Sequence, residues 1–588
     1  MSKILYASSY RHKFSTSVEN KLAKICDSLV PDNVKRSPKH KICVKGQSAY
    51  AVTMANNALH ESDMSVLLGF LFEEQDFKWD IPKNRYPDGN YSLFRNSTHF
   101  IEVVSDFAGT RTIWYYHDDE LFVASTSQRA LIMFLGSFEF DKDVISWILS
   151  TGSLGPELSW DKRLKRLQPD SSLLLDKKTW KLTLTQNPVV FSETKRLKKE
   201  HKNQLIEKIG QTIGHLRAID FKSNILPLSG GYDSRAILCF IKEQMGIPKH
   251  LTTLTWGLEG SVNEEGNDAE VAIKLARKMG VKHEYHFTDS SSEPISIILN
   301  RFILASEGRI DHISAYMDGM EIWRQLHDRK IAAVIRGDEG FGWKESSSDL
   351  DVKMHVGCAL CSDFDNLKSF IEDFDLSPQQ LPTEMEKKPR ETLPEWRDRL
   401  YHSYRMPTIL AALSDAKLSY IELANPLLSK NILSYVRSLP DDLRTEKNLF
   451  KEVVVTIGPN IPFAGVNATA HSKDILKEKE FLKMIEQELQ SNLAVQLFGK
   501  NFIQYISEAI NAKEVKSNRK QELKIIIGRI LPRFIKHSLR KNIIRPTLDS
   551  YILGLRVFII LRMNTILNAD AAKLKCPETE TGDLFSGN

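Results

Sequence analysis

The stretch Ile225-Leu226-Pro227-Leu228-Ser229-Gly230-Gly231-Tyr232-Asp233-Ser234-Arg235 carries a short apolar strand through a turn of serine, glycine and aspartate into a helical run, Ser234 to Gln244. Few folds accept such a turn. Two adjacent glycines reach backbone conformations closed to other residues and let amide N–H groups approach a ligand. The hydroxyls of Ser229 and Ser234 add donors, and the helix N-terminus adds partial positive charge. The segment Leu228 to Ser234 therefore reads as a cradle for an anion, against the plainer reading of a turn that only joins strand to helix. A bare Asp233 carboxylate inside the cradle would repel phosphate. A cation between them removes the conflict, and Mg2+ uses carboxylate and phosphate oxygens together. The turn has neither the Gly-Lys-Ser/Thr ending of the Walker loop nor the Gly-x-Gly-x-x-Gly dinucleotide fingerprint.

Strand and helix go on alternating downstream. Leu251 to Trp256 reads as a strand, Asn267 to Met279 as a helix closed by Gly280, and Lys330 to Ile335 as another strand. Such alternation implies a doubly wound parallel sheet, an α/β fold whose ligands bind beyond the carboxyl ends of the strands. Ahead of it lie short alternating runs, Phe100 to Val104, Thr112 to Tyr116 and Leu121 to Ala124, which predict an antiparallel sheet with a few helices. Lys195 to Phe221 is helical and reads as an interdomain connection. Residues 345–400, with Pro378, Pro382, Pro389 and Pro394, read as loops, and helical sequence resumes to about Val455.

At 588 residues the chain is about twice the length at which one core stops growing, so several domains are expected. The divisions predicted are 1–195, 196–465 and a basic helical extension, 466–588. A net charge of +5 gives the whole chain no case for DNA, RNA or membrane. Six scattered cysteines suit a reducing compartment, the opening residues lack an apolar signal run, and a cytoplasmic location is expected. Tyr551 to Leu567 is apolar but carries Arg556 and Arg562, each costing about 2.5 to 3.5 kcal/mol at a bilayer centre, so a docking helix is expected and not a span. Cys358-Ala359-Leu360-Cys361 lacks the second pair a zinc site needs and reads as two reduced thiols. The basic residues between Lys513 and Arg545 read as a solvated helical face; docking of an acidic peptide, RNA or a membrane surface is the other reading.

The Ser-Gly-Gly-x-Asp-Ser turn resembles the loop of ATP pyrophosphatases, enzymes that split ATP into AMP and pyrophosphate. Its place behind a β-rich front half resembles asparagine synthetase and its relatives. So do Asp88-Gly89-Asn90-Tyr91, Asp106-Phe107-Ala108-Gly109-Thr110-Arg111, Thr255-Trp256-Gly257 with Asp268 and His283, and Arg336-Gly337-Asp338-Glu339-Gly340-Phe341-Gly342. The resemblance runs over about residues 1–460 and implies an N-terminal hydrolase-like (Ntn, αββα) glutaminase-like domain followed by the pyrophosphatase-loop domain. It implies ATP and Mg2+ as cofactors. Leu228, Ser229, Gly230, Gly231, Asp233, Ser234, Thr255 and Gly337 would bind nucleotide, and Asp233 and Asp338 would hold Mg2+. Asp338, Glu339 and Lys447 would be catalytic, Lys447 coming from the segment Leu439 to Lys447, with Lys451 its nearest competitor.

Two departures stand out. Arg336 replaces the family's usual residues ahead of the acidic pair, and Ser2 stands where the family's glutaminases expose a cysteine. A hydroxyl is a poorer nucleophile than a thiol, so the front domain is expected to lack glutaminase activity. The partners are then a small-molecule or peptide carboxylate and ammonia or a substrate amine, with no DNA. A homodimer and a precursor peptide stay open, as do the β-lactam synthetase and lasso-peptide cyclase branches. A catalytically silent scaffold and an RNA-modifying pyrophosphatase are the readings from other classes.

Overall fold

The computed structural model describes residues 3–35, 39–73, 78–288, 291–371, 379–469, 476–516 and 545–574. Ser2, Cys576, the tail from Pro577 and most of the basic run lie outside them.

The front half packs two six-stranded antiparallel sheets face to face. One holds Ile4–Ser9 between Leu121–Ser125 and Ser48–Val52; the other runs through Ser171–Asp176, Phe100–Ser105, Gly89–Asn96 and Ser65–Leu71. The predicted strands at Phe100, Thr112 and Leu121 appear as Phe100–Ser105, Ile113–His117 and Leu121–Ser125. Alternation explains the sandwich: Ile4, Tyr6, Val66, Leu68, Phe94, Val103 and Ala124 point between the sheets and are buried there. Helices Thr16–Ser28, Gln128–Leu135 and Val144–Thr151 belong to the core on the far side of the first sheet. The far side of the second sheet has no such helical cover in the described connection from Phe72 to Asp88. A loop takes its place, laying Trp79 and Tyr86 over Leu67, Tyr91, Leu93 and Val104. The fully buried Arg95 pins that loop by donating to the carbonyls of Trp79, Asn84 and Arg85 at 2.6, 2.9 and 2.8 Å. Of the expected αββα layers, the described residues show the two sheets and the helices on the far side of the first.

The second half is the parallel sheet, in the order Lys282–Phe287, Thr252–Gly257, Asn224–Pro227, Ala333–Ile335, Glu422–Ala424. Chain order reverses between Asn224–Pro227 and Ala333–Ile335, and the crevice beyond those two carboxyl ends is where such sheets take ligands. Helix Lys198–Gly214 is no linker: Leu205, Ile209 and Ile213 are buried in the core that also holds Ile237, Ile241, Ile432 and Val453. The region expected to be loops contains helices Asp349–Val356 and Leu393–Leu400, the latter running into a π-helix, Tyr401–Leu410.

The halves interlock. Asp88 accepts from the amides of Lys430 and Asn431 at 2.7 and 3.0 Å, capping the helix Lys430–Val436, and Asn90 accepts from Asn425 N at 2.7 Å. Arg111 pairs with the buried Glu422 on the edge strand. Helix Ser550–Lys573 is long and apolar enough to cross a membrane, but here most of it is buried against protein. Its Arg556 donates to Asp311 (2.7 Å) and the Leu149 carbonyl (2.8 Å), and Asp570 accepts from Arg129 (2.7 Å), as a docked helix requires.

Candidate active site

The turn Leu228 to Ser234 leaves the sheet at the switch point. Ser234 closes it on itself: its hydroxyl accepts from Ser229 N at 2.9 Å and lies 3.0 Å from the Ser229 hydroxyl, while Gly231 N donates to Ser229 Oγ at 3.2 Å. Helix Asp233–Met245 begins here with Tyr232 as N-cap and no side-chain cap, so its first amides keep the positive end of the helix turned to the crevice.

Gly230 differs from the expectation. A Cβ there would stand 2.6 Å from Ala464 Cβ and 2.9 Å from Val271 Cβ, so its bareness serves close packing, and its amide donates to Asp268 Oδ1 at 2.7 Å. Asp268 thus occupies one amide of the cradle with a carboxylate.

The acidic turn follows the neighbouring strand. Gly337 packs against the helix start, where a Cβ would lie 3.1 Å from Ser234 N. Asp338 is gripped by Arg336 through Nη2 at 3.0 Å and Nε at 3.4 Å. Burial pushes the Asp338 carboxyl up, but Arg336 outweighs it and holds the group below its ordinary value. Glu339 is 4% exposed and accepts from Phe341 N at 2.6 Å. Tyr401 and His402 of the π-helix steady this turn by donating to the carbonyls of Glu339 (3.3 Å) and Gly340 (2.8 Å).

Lys447 reaches in from the far side. Its ammonium stands 2.7 Å from Glu339 and 3.1 Å from Asp233. Burial opposes its charge, yet the two carboxylates together raise its pKa above the ordinary lysine value. Burial in turn pushes Asp233 and Glu339 above the usual carboxylate range against the pull of that ammonium. Two consecutive left-handed residues, Glu446 (φ 56°) and Lys447 (φ 59°), aim the side chain. Such conformations cost about 1–3 kcal/mol each and persist only where surrounding contacts dictate them. Here Glu446 N donates to the Trp343 carbonyl (2.9 Å), and the buried Arg444 is tied to Asp398 (2.9 Å). Lys451, by contrast, is a third exposed and meets Glu446 only at 3.9 Å.

These elements border an open cleft of about 290 Å³. Leu228, Ser229, Asp233, Ser234, Thr255, Gly337 and Asp338 line it; Gly230, Gly231, Glu339 and Lys447 are not among its lining residues, though Lys447 reaches the lining Asp233. Thr255 donates to the Leu228 carbonyl and so ties the second strand to the turn. No cluster of three metal-ligating side chains forms among the described residues. Asp233 and Asp338 are the expected cation-holding carboxylates, and both line the cavity.

Sequence reasoning missed the fourth wall. Asn467, Ala468 and Thr469 line the cavity from a strap that continues past residue 465, where a domain boundary was expected. Arg235, almost wholly buried, donates to the carbonyls of Gly230 (3.2 Å), Ile461 (2.7 Å) and Pro462 (2.9 Å), and Tyr232 stacks on Phe463 with ring centroids 3.9 Å apart. An arginine directly after the Asp-Ser of the turn was the available signal. Also missed was Lys417, buried over the rings of Tyr316 and Trp323 and donating to the Leu413 carbonyl at 2.8 Å. Burial, reinforced by Arg336, presses its ammonium down to about 7.

The second half is a doubly wound α/β domain with a serine-glycine turn at its switch point. Residues 225–313 of it match the asparagine synthase family model, so the resemblance carried by the turn is shown over that segment. No curated protein matches the chain in sequence. Solved structures overlap it only loosely. An allosteric regulatory enzyme of purine biosynthesis is 9% identical over 49% of this chain and 81% of its own, with a TM-score of 0.20. A glutamine phosphoribosylpyrophosphate amidotransferase from B. subtilis, complexed with ADP and GMP, is 8% identical over 50% and 83%, TM-score 0.20. An NH3-dependent NAD synthetase from Campylobacter jejuni subsp. jejuni is 13% identical over 25% and 58%, TM-score 0.15. TM-scores this low carry no argument.

Proposed function

We propose that this chain is an ATP-dependent, AMP-forming amide ligase of the asparagine synthetase type. The asparagine synthase match supports an ATP-using ligase that makes amide bonds. The finer reading rests on one observation: Lys447, Asp233 and Glu339 form a single ion cluster beside the cradle that leads the parallel sheet into its first helix.

In this reading a substrate carboxylate oxygen attacks the α-phosphorus of ATP, the bond to the β-phosphate oxygen breaks, and pyrophosphate leaves. An amine nitrogen then attacks the acyl carbon, AMP departs with the bonding electron pair, and the amine gives up a proton. Ser229, Ser234 and the first amides of the helix bind pyrophosphate oxygens. Magnesium, when bound, supplies positive charge that offsets the triphosphate. Asp233 is the side chain that would hold it, because Lys447 can stay on Glu339 when Asp233 turns to the cation. A fixed ammonium at Lys447 stabilises negative charge growing on the reacting acyl phosphate.

The front domain is read as a structural partner, its Asp88 and Asn90 holding the second half in place. The amine is then free ammonia or a group on the substrate. Carboxylate-dependent exchange of labelled pyrophosphate into ATP tests the reading. Exchange with one class in a broad carboxylate panel supports it; no exchange with any class, in protein that binds Mg·ATP, counts against it and favours a silent scaffold.

A further inference from the structure

Arg336 is the residue at which this site departs from its sequence expectation, and its surroundings give the departure a chemical sense. Its guanidinium lies in near-parallel contact with Asp338, Nη2 on Oδ1 at 3.0 Å and Nε on Oδ2 at 3.4 Å, a fork geometry specific to arginine. Asp338 is thereby occupied by a protein cation. Nη1 makes no hydrogen bond to the described residues, and Arg336 lines the cavity. Arg336 lies on Asp338, and Lys447 bridges Asp233 and Glu339, so each of the three carboxylates already has a protein cation beside it. Carboxylates paired in this way have less need of several metal ions to admit a triphosphate.

We propose that Arg336 takes the place of a metal ion at Asp338: the guanidinium, oriented by that carboxylate, is the fixed cation that meets the pyrophosphate oxygens, and the nucleotide enters with one divalent cation, at Asp233. The inference rests on the AMP-forming reading above. It departs from the two-carboxylate magnesium site expected from the sequence.

The test counts metal ions and measures anion affinity without turnover. Full-length protein is titrated with Mn2+ in the presence of α,β-methylene-ATP, bound Mn2+ being read by electron paramagnetic resonance, and separately with inorganic pyrophosphate by calorimetry. The wild type is expected to bind one Mn2+ per nucleotide. Arg336→Gln frees Asp338, so a second Mn2+ is expected, and pyrophosphate affinity measured without metal should fall about 10- to 100-fold, the value of hydrogen bonds to a charged group. Asp338→Asn, nearly isosteric, should leave the count at one, whereas Asp233→Asn should remove it. Two Mn2+ in the wild type, or a pyrophosphate affinity within twofold in Arg336→Gln, overturns the inference and leaves the ligase reading standing. A wild type that binds no nucleotide overturns both.

Discussion

Replacing Lys447 by Met removes the ammonium that bridges Asp233 and Glu339 while keeping most of the side chain's volume. The two carboxylates are then left unpaired in a partly buried site. Taking one partner from a buried ion pair costs about 3–5 kcal/mol when the remaining charge cannot relax. Here it can: burial already raises both carboxyls, and taking up a proton limits the loss at about 1.4 kcal/mol per unit of pKa. A carboxyl whose folded pKa lies above its unfolded value stabilises the fold below that unfolded value, near 4, and loses the contribution as pH rises through the folded pKa. The variant should therefore be less stable than wild type at neutral pH and recover part of the difference in mild acid. Its chemistry should suffer more than its binding. A preorganised donor at developing charge is worth about 10²- to 10³-fold in rate, so pyrophosphate exchange is expected to fall by that factor. Affinity for Mg·ATP should drop at most about tenfold, because the cradle hydroxyls and amides remain. Lys451→Met, losing a 3.9 Å contact with Glu446 and a loose approach to the Tyr232 ring at 5.8 Å, should change exchange less than threefold. Exchange and calorimetry on the three proteins decide the matter. An unaffected exchange rate in Lys447→Met, or a larger loss in Lys451→Met, would refute the role given to Lys447.

Other expectations follow from the packing. Gly230→Ala places a methyl 2.6 Å from Ala464, so it should lower stability by about 1–3 kcal/mol in denaturant titration and weaken nucleotide binding by displacing the strap. Asp311 is buried and burial pushes its carboxyl up, yet Arg556 and His312 hold it down at about 2; its contribution, about 2 kcal/mol, is present above pH 4 and lost as pH falls toward 2. Arg556→Met should be destabilised at neutral pH and show a flatter acid limb. Burial pushes the thiols of Cys358 and Cys361 up to about 12, so both should resist alkylation in the native protein and react once it is unfolded, as seen by mass spectrometry.

The elements that sequence made legible share one property: their signal is local. Strands Phe100–Ser105 and Leu121–Ser125 alternate, helix Asp268–Met279 starts at an asparagine cap and ends at Gly280 in the left-handed conformation, and the cradle is written in six consecutive residues. The features that escaped are set by distant contacts. The strap Ile461–Thr469 has no periodicity, because it is held by Arg235, which donates to its Ile461 and Pro462 carbonyls from more than two hundred positions away. The π-helix Tyr401–Leu410 contains Pro407, which reads as a helix breaker, yet its neighbours Tyr401 and His402 earn their geometry from the acidic turn. The role of Lys447 needed the fold to separate it from Lys451, since both lie on similar helical sequence and only the left-handed pair at 446–447 points one inward. The loop at 78–88 is likewise set from a distance, because Arg95 satisfies the carbonyls of Trp79, Asn84 and Arg85.

The cradle itself is open to one direct measurement: calorimetric titration of the full-length protein with α,β-methylene-ATP in Mg2+. A single site is expected, with affinity lost at least tenfold in the double variant Ser229→Ala, Ser234→Ala. No heat of binding, or binding that the double variant leaves intact, would show that the turn from Leu228 to Ser234 does not hold a nucleotide's phosphates.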